Sequence, residues 1–290
     1  MSFCMFLWHV CQAWTREEEI MAQKLVCAVA VATLTAGWAW AGETVQNPLT
    51  ASATWEDLRE DVLGDVALMS ADGLLSMDAP YRAHDAATVP IQLKQTDPST
   101  RIHAATVVVD ENPAPVAGLF TFGEGMGTLD FELRVRVDQY SNVRVIAETA
   151  DGFHMTGRYV KASGGCSAPA TKDAAAALAN MGQMKLKSFD SDVQMSMPRR
   201  EAQIMIRHPN YSGLQRDQIT QLFIPAHFID HLEVWQGDEM LFSMEGGISI
   251  SENPVFRFGY DDNGAEDLTV KATDTDGNSF EARLPKKVTS

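Results

Sequence analysis

The chain has 290 residues, and its 39 acidic against 23 basic side chains give a formal net charge of −16, which works against binding to nucleic acid or an anionic membrane surface. With 45% hydrophobic residues it is globular material rather than a disordered acidic tail, and its length suits two modest domains or one large one.

Residues 1–20, "MSFCMFLWHVCQAWTREEEI", read as neither signal nor domain and are expected to be a mis-assigned extension ahead of Met21. From Met21 the pattern is that of a cleavable leader. Lys24 gives a basic start, residues 25–36 are almost wholly apolar, and Ala39-Trp40-Ala41 is an A-x-A cleavage signature. Residues 21–41 are therefore expected to be a secretory signal peptide; a membrane anchor, the alternative, needs an apolar run of about 20 residues. The expected destination is the periplasm, with no membrane attachment after cleavage. Cys4, Cys11 and Cys27 lie in the removed segment, which leaves Cys166 as the one thiol of the exported protein. An unpaired cysteine in an oxidising compartment points to an intermolecular bond or a reactive role, against the alternative of an inert buried side chain.

Residues 54–63, "TWEDLREDVL", read as a helix, with Thr54 as N-cap, Asp57 as capping-box acid, and Trp55, Leu58 and Val62 on one face. The period then changes to two. Strands are expected at 89–95, 102–110, 129–137, 142–148 and 153–161; in "LDFELRVRV", Phe131, Leu133, Val135 and Val137 point inward, and Glu132, Arg134 and Arg136 toward water. Residues 166–189 break the rhythm and read as a linker with a short helix in "TKDAAAALANMG", stopped at Gly182. Strands resume at 202–208, in a hairpin closed by Gly237-Asp238, and in "PVFRFGY", "DLTVKATD" and "SFEARL". The expected fold class is all-β, with sandwich domains at 42–165 and 190–290, a short N-terminal helix and a helical linker.

Cys166 sits in "ASGGCSAPAT", where Gly164 and Gly165 lead in and Ser167 follows. The pattern suggests a flexible arm that presents the thiol to other proteins, with the start of the following helix, Lys161 and Lys172 all favouring the thiolate. A thiol enzyme would need a histidine such as His154 or His103 beside the sulfur, and no catalytic residue is assigned from sequence. His227 and His231 have a spacing that a metal pair could use, but no further ligand completes the set, so no metal is expected. "DDNGAED" (261–267) and "DTDGN" (274–278) read as hairpin turns rather than calcium loops, and "GEGMG" (123–127) lacks the features of a phosphate loop.

"APYRAHDAATVPIQL", "VVVDENPAPVAGLFTF", "RVRVDQYSNVRVIAETADGFH" and "GGC", in that order, resemble SoxY, the carrier subunit of the bacterial thiosulfate-oxidising system. "IRHPNYSGLQRDQ", "IPAHFI" and "ISISENPVFRF" resemble its partner subunit SoxZ, so the whole looks like the fused SoxYZ-like carriers associated with quinoprotein (PQQ) dehydrogenases and c-type cytochromes. The resemblance implies two immunoglobulin-like sandwiches paired within one chain. It also implies a carrier and not an enzyme, with a sulfur intermediate held on Cys166 and no resident cofactor. Sox-type enzymes, a cytochrome or a PQQ dehydrogenase would be the partners. Where the family arm continues with two glycines, this chain has Ser167 and Ala168, then Pro169, and the arm is internal rather than terminal. A scaffold or binding module for the same redox partners, its thiol incidental, is the competing reading.

Overall fold

The computed structural model describes residues 47–169, 178–189 and 199–286. The expected extension, the signal peptide and most of the alanine-rich linker helix lie outside the described residues.

Helix α1 (Ala53–Leu63) begins one residue earlier than expected. Its N-cap is Ser52, not Thr54, because the Ser52 hydroxyl is the group that accepts the Trp55 backbone N–H, at 3.1 Å. The predicted face is correct. Trp55 is buried, and Leu58 and Val62 pack with Val108 and Ile146. The Arg144 guanidinium lies 4.5 Å over the Trp55 ring and forms a buried two-point ion pair with Asp110, at 2.7 and 2.8 Å.

In the first half, strands β1 (Leu68–Ser70), β4 (Ala104–Val109), β5 (Val116–Phe122), β7 (Ser141–Thr149) and β8 (Gly152–Val160) form one sheet. Strands β2 (Leu75–Asp78), β3 (Val89–Gln95) and β6 (Asp130–Val135) form the opposing sheet. In the second half, β11 (Ile229–Gln236), β12 (Glu239–Gly246), β14 (Asp267–Asp274) and β15 (Ser279–Pro285) extend the first sheet. Strands β9 (Met184–Ser188), β10 (Arg199–Ile206) and β13 (Val255–Asp261) extend the second. Each half is thus a sandwich, and the two are joined edge to edge through both sheets. Strand β5 pairs antiparallel with β12, Phe122 opposite Phe242, and β6 pairs with β13, Phe131 opposite Phe258. The result is a nine-stranded sheet facing a six-stranded one within a single compact unit, 46–290.

Aromatic side chains fill this seam. Phe131 meets Phe120 at 5.2 Å and Phe242 at 5.1 Å between centroids, and Phe242 meets Phe258 at 5.1 Å, all edge to face. These rings come from both halves, so a single core spans them.

Two expectations are corrected here. The linker is not wholly loop and helix: Met184–Ser188 is an edge strand on β10. Arg136 does not face water. Strand β6 ends at Val135, and the next residue turns into the seam, where the Arg136 N–H reaches the Ser249 carbonyl at 2.7 Å and its side chain is buried.

Candidate functional site

Cys166 has no exposed surface, and it is the free cysteine among the described residues. The segment around it is docked against the seam, not free. The Gly164 N–H donates to the Asp138 carbonyl at 2.7 Å and the Gly165 N–H to the Val137 carbonyl at 3.0 Å. The Cys166 N–H donates to Asp138 Oδ1 at 3.2 Å.

The second half closes over the same backbone. The Ser212 hydroxyl donates to the Cys166 carbonyl, and Gln215 Nε2 donates to the Ala168 carbonyl at 3.0 Å. Arg136 bridges the halves, with one guanidinium nitrogen on the Gly165 carbonyl at 3.2 Å and another on the Asn210 carbonyl at 3.0 Å. All these bonds are to the segment's main chain and none is to the sulfur. The docking is therefore indifferent to what the cysteine side chain is, provided that it fits.

The glycines have a different use from the one expected. Gly164 adopts φ +77, a left-handed conformation that side chains disfavour. A Cβ on Gly165 would fall 2.1 Å from the Ala86 carbonyl oxygen and 2.7 Å from the Val137 nitrogen, so its missing side chain permits close approach of two main chains. Ser167 donates weakly, at 3.4 Å, to the Gly164 carbonyl, closing the turn.

Electrostatics follow burial. Loss of water, followed by the nearby Asp138 carboxylate, pushes the Cys166 thiol up to about 12, and the Arg136 charge offsets only part of that. The expected thiolate-favouring setting is corrected accordingly. Lys161 lies over the Tyr81 ring, 4.6 Å from its centroid, and Lys172 is outside the described residues. Neither histidine considered for a thiol enzyme is engaged with the sulfur: His103 accepts from Arg101 Nε at 3.2 Å, and His154 Nδ1 lies 3.3 Å from the Ser70 carbonyl.

Beside the segment, Ser167 and Pro169 line a groove of about 420 Å³ with Leu214, Arg216, Asp217, Gln218 and Gln221. The same loop bears Ile219, Leu222 and Phe223, which are 92%, 69% and 57% exposed, the most prominent apolar group on the described surface.

His227 and His231 do not come together. His231 faces outward between Glu245 and Glu233, at 2.8 and 3.2 Å, while His227 turns inward to Asp274 at 2.8 Å. There it meets His208, which lies 3.2 Å from the same carboxylate oxygen, and burial pushes the His208 imidazole down. Sequence spacing misses this grouping because its members come from three separate segments, and the His227–His231 spacing points to the wrong partner. The segment 274–278 closes the β14–β15 hairpin, as expected, whereas 261–267 is corrected: it crosses from β13 in the six-stranded sheet to β14 in the nine-stranded one and is not a hairpin turn.

Residues 59–166 match the family described as "Sulfur oxidation protein SoxY", a match that ends on Cys166, and residues 194–285 match that described as "Sulphur oxidation protein SoxZ". Among solved structures, the chain is similar to the sulfur carrier protein SoxY from Chlorobium limicola f thiosulfatophilum, at 19% identity and a TM-score of 0.32, over 38% of this chain and 97% of that one. No curated protein matches.

Proposed function

We propose, for a chain that belongs to the fused SoxYZ-like carriers of sulfur oxidation, that Cys166 holds a sulfur intermediate as a covalent adduct and that the docked segment is its shielded, unloaded state. The observation that carries this reading is the position of Cys166. It is the last residue of the SoxY match, and it is held over the seam through main-chain atoms by side chains of both halves. A sulfur with no exposed surface has no room for an added sulfur oxyanion, so loading requires the segment to lift off.

The chemistry of loading sets what else must be present. The Cys166 thiol loses its proton to solvent. The thiolate then joins the terminal sulfur of thiosulfate in an S–S bond, which yields a cysteine S-thiosulfonate and releases two electrons. The acceptor is an external redox protein, a c-type cytochrome or a cytochrome-linked quinoprotein dehydrogenase. The carrier supplies no oxidant and no general base; the charged groups acting on its thiol are Asp138 and Arg136. That arrangement suits a carrier rather than an enzyme. The signal-like segment 21–41 supports a periplasmic site of action.

The burial of Cys166 favours one other reading, a scaffold for redox partners whose thiol is incidental. Intact-mass measurement of protein taken from its host, compared with Cys166→Ser, separates the two. A reductant-labile adduct confined to the wild type supports the carrier; a Cys166→Ser protein that fully sustains sulfur oxidation in the host supports the scaffold.

A further inference from the structure

His208 follows β10, His227 precedes β11, and Asp274 ends β14, so three separate segments of the second half deliver these side chains to one point. The donor atoms all lie within 4.8 Å of one another. Both imidazoles present Nε2 to the same oxygen, Asp274 Oδ2, at 3.2 Å from His208 and 2.8 Å from His227, with the rings 4.9 Å apart at 83°. A tetrahedral ion bound at about 2.0–2.1 Å holds its donors roughly 3.3 Å apart, close to the two Nε2–Oδ2 separations.

The outer edges of the rings are arranged as a metal site requires. His208 Nδ1 is 2.8 Å from Asn210 Oδ1, and His227 Nδ1 is 3.5 Å from Asp276 Oδ2. Metal-bound histidines characteristically donate their second N–H to such an oxygen. The Asn210 amide is oriented independently, since its Oδ1 accepts the Ile229 N–H at 3.1 Å and its Nδ2 donates to the Ser251 carbonyl at 3.2 Å. Asp274 Oδ1 is engaged by the backbone N–H groups of Asp276 and Asn278, at 3.0 and 2.9 Å, and Asn278 Nδ2 donates to Oδ2 at 2.9 Å, so the carboxylate is held in place while Oδ2 faces both imidazoles.

Proton counting then shows a deficit. Four ring nitrogens face oxygen acceptors, whereas two neutral imidazoles carry only two N–H groups. The Asn210 N–H, 3.0 Å from His208 Nδ1, suits the tautomer protonated at Nε2, but that tautomer sets a lone pair against Asn210 Oδ1. The opposite tautomer satisfies Asn210 Oδ1 and leaves a bare Nε2 facing the carboxylate. A cation between the two Nε2 atoms and Oδ2 compensates the bare nitrogens, with both Nδ1–H groups pointing at their oxygens, at the cost of the Asn210 N–H bond to His208 Nδ1.

The geometry points to a binding site for one divalent transition ion of the zinc class at His208, His227 and Asp274, with a solvent molecule completing the set. The ion would tie the 208–227 loop to the end of β14. That loop includes the Asn210 carbonyl that Arg136 uses at the Cys166 segment.

The test uses the full chain, stripped with chelator and then titrated with Zn²⁺ and, separately, Co²⁺. The expected result is one ion per chain, cobalt absorption of tetrahedral intensity without a thiolate charge-transfer band, and a raised Tm. Asp274→Asn and His227→Gln should lose the bound ion, and His231→Gln should keep it. Because a buried variant can fail to fold, histidine ring NMR signals of the wild type are followed as zinc is added: His208 and His227 should shift and His231 should not. Less than one tightly bound ion, retention by folded His227→Gln, or ring shifts confined to other histidines overturns the site.

Discussion

At pH 7 a thiol raised to about 12 by burial and Asp138 is almost entirely protonated, and only the thiolate reacts. Native Cys166 should therefore react slowly with iodoacetamide at neutral pH, with a rate that climbs about tenfold per pH unit, and should react fully once the chain is unfolded. Fast labelling at pH 7 in the folded protein would show that the docked state is not the resting one. The stability consequence has a definite sign. A thiol whose folded value lies above its ordinary 9.0 contributes stability that is complete below about 9 and is lost as pH rises toward 12. Equilibrium unfolding of Cys166→Ser should lack that share of the alkaline loss.

Among the elements, the docking segment is the one whose behaviour sequence least reveals. "GGC" reads as flexible because glycine is permissive, yet Gly165 is required for contact with Ala86 and Val137, residues far away in the chain. Gly165→Ala should keep the sandwich and release the segment, raising Cys166 labelling at pH 7 by tenfold or more. Unchanged labelling would mean that the contact is not limiting. Gln215→Ala removes one hydrogen bond to the segment, a loss of about 1 kcal/mol, which should raise the open population about fivefold by the same assay. The strands were far more legible. Alternation alone fixes β3 at 89–95 and the Gly237-Asp238 hairpin, because each depends on local period and turn chemistry. Strand β1 is too brief to show a period; β2 and β9 do alternate, over only four and five residues beside irregular stretches, and Arg136 misleads because alternation holds only while the ladder continues.

For the molecule as a whole, sequence shows two sandwich patterns but not that they share sheets, since strand partners between halves leave no local trace. The Phe seam makes a specific demand: the halves should unfold together. Phe131→Ala, which removes a ring that contacts Phe120 of its own half and Phe242 of the other, should cost about 3–5 kcal/mol and lower a single cooperative transition monitored by probes in either half. Two separate transitions in the wild type would show that the halves are energetically independent. The shared sheets also bring Ser212 and Gln215 of the second half onto the Cys166 segment of the first, where they bond the Cys166 and Ala168 carbonyls.

The carrier assignment itself rests on what Cys166 bears in the cell. Intact mass spectrometry of the protein isolated without reductant from host cells actively oxidising thiosulfate is predicted to show a sulfur-containing increment on Cys166 that reductant removes and that Cys166→Ser lacks. An unmodified Cys166 under those conditions would contradict it.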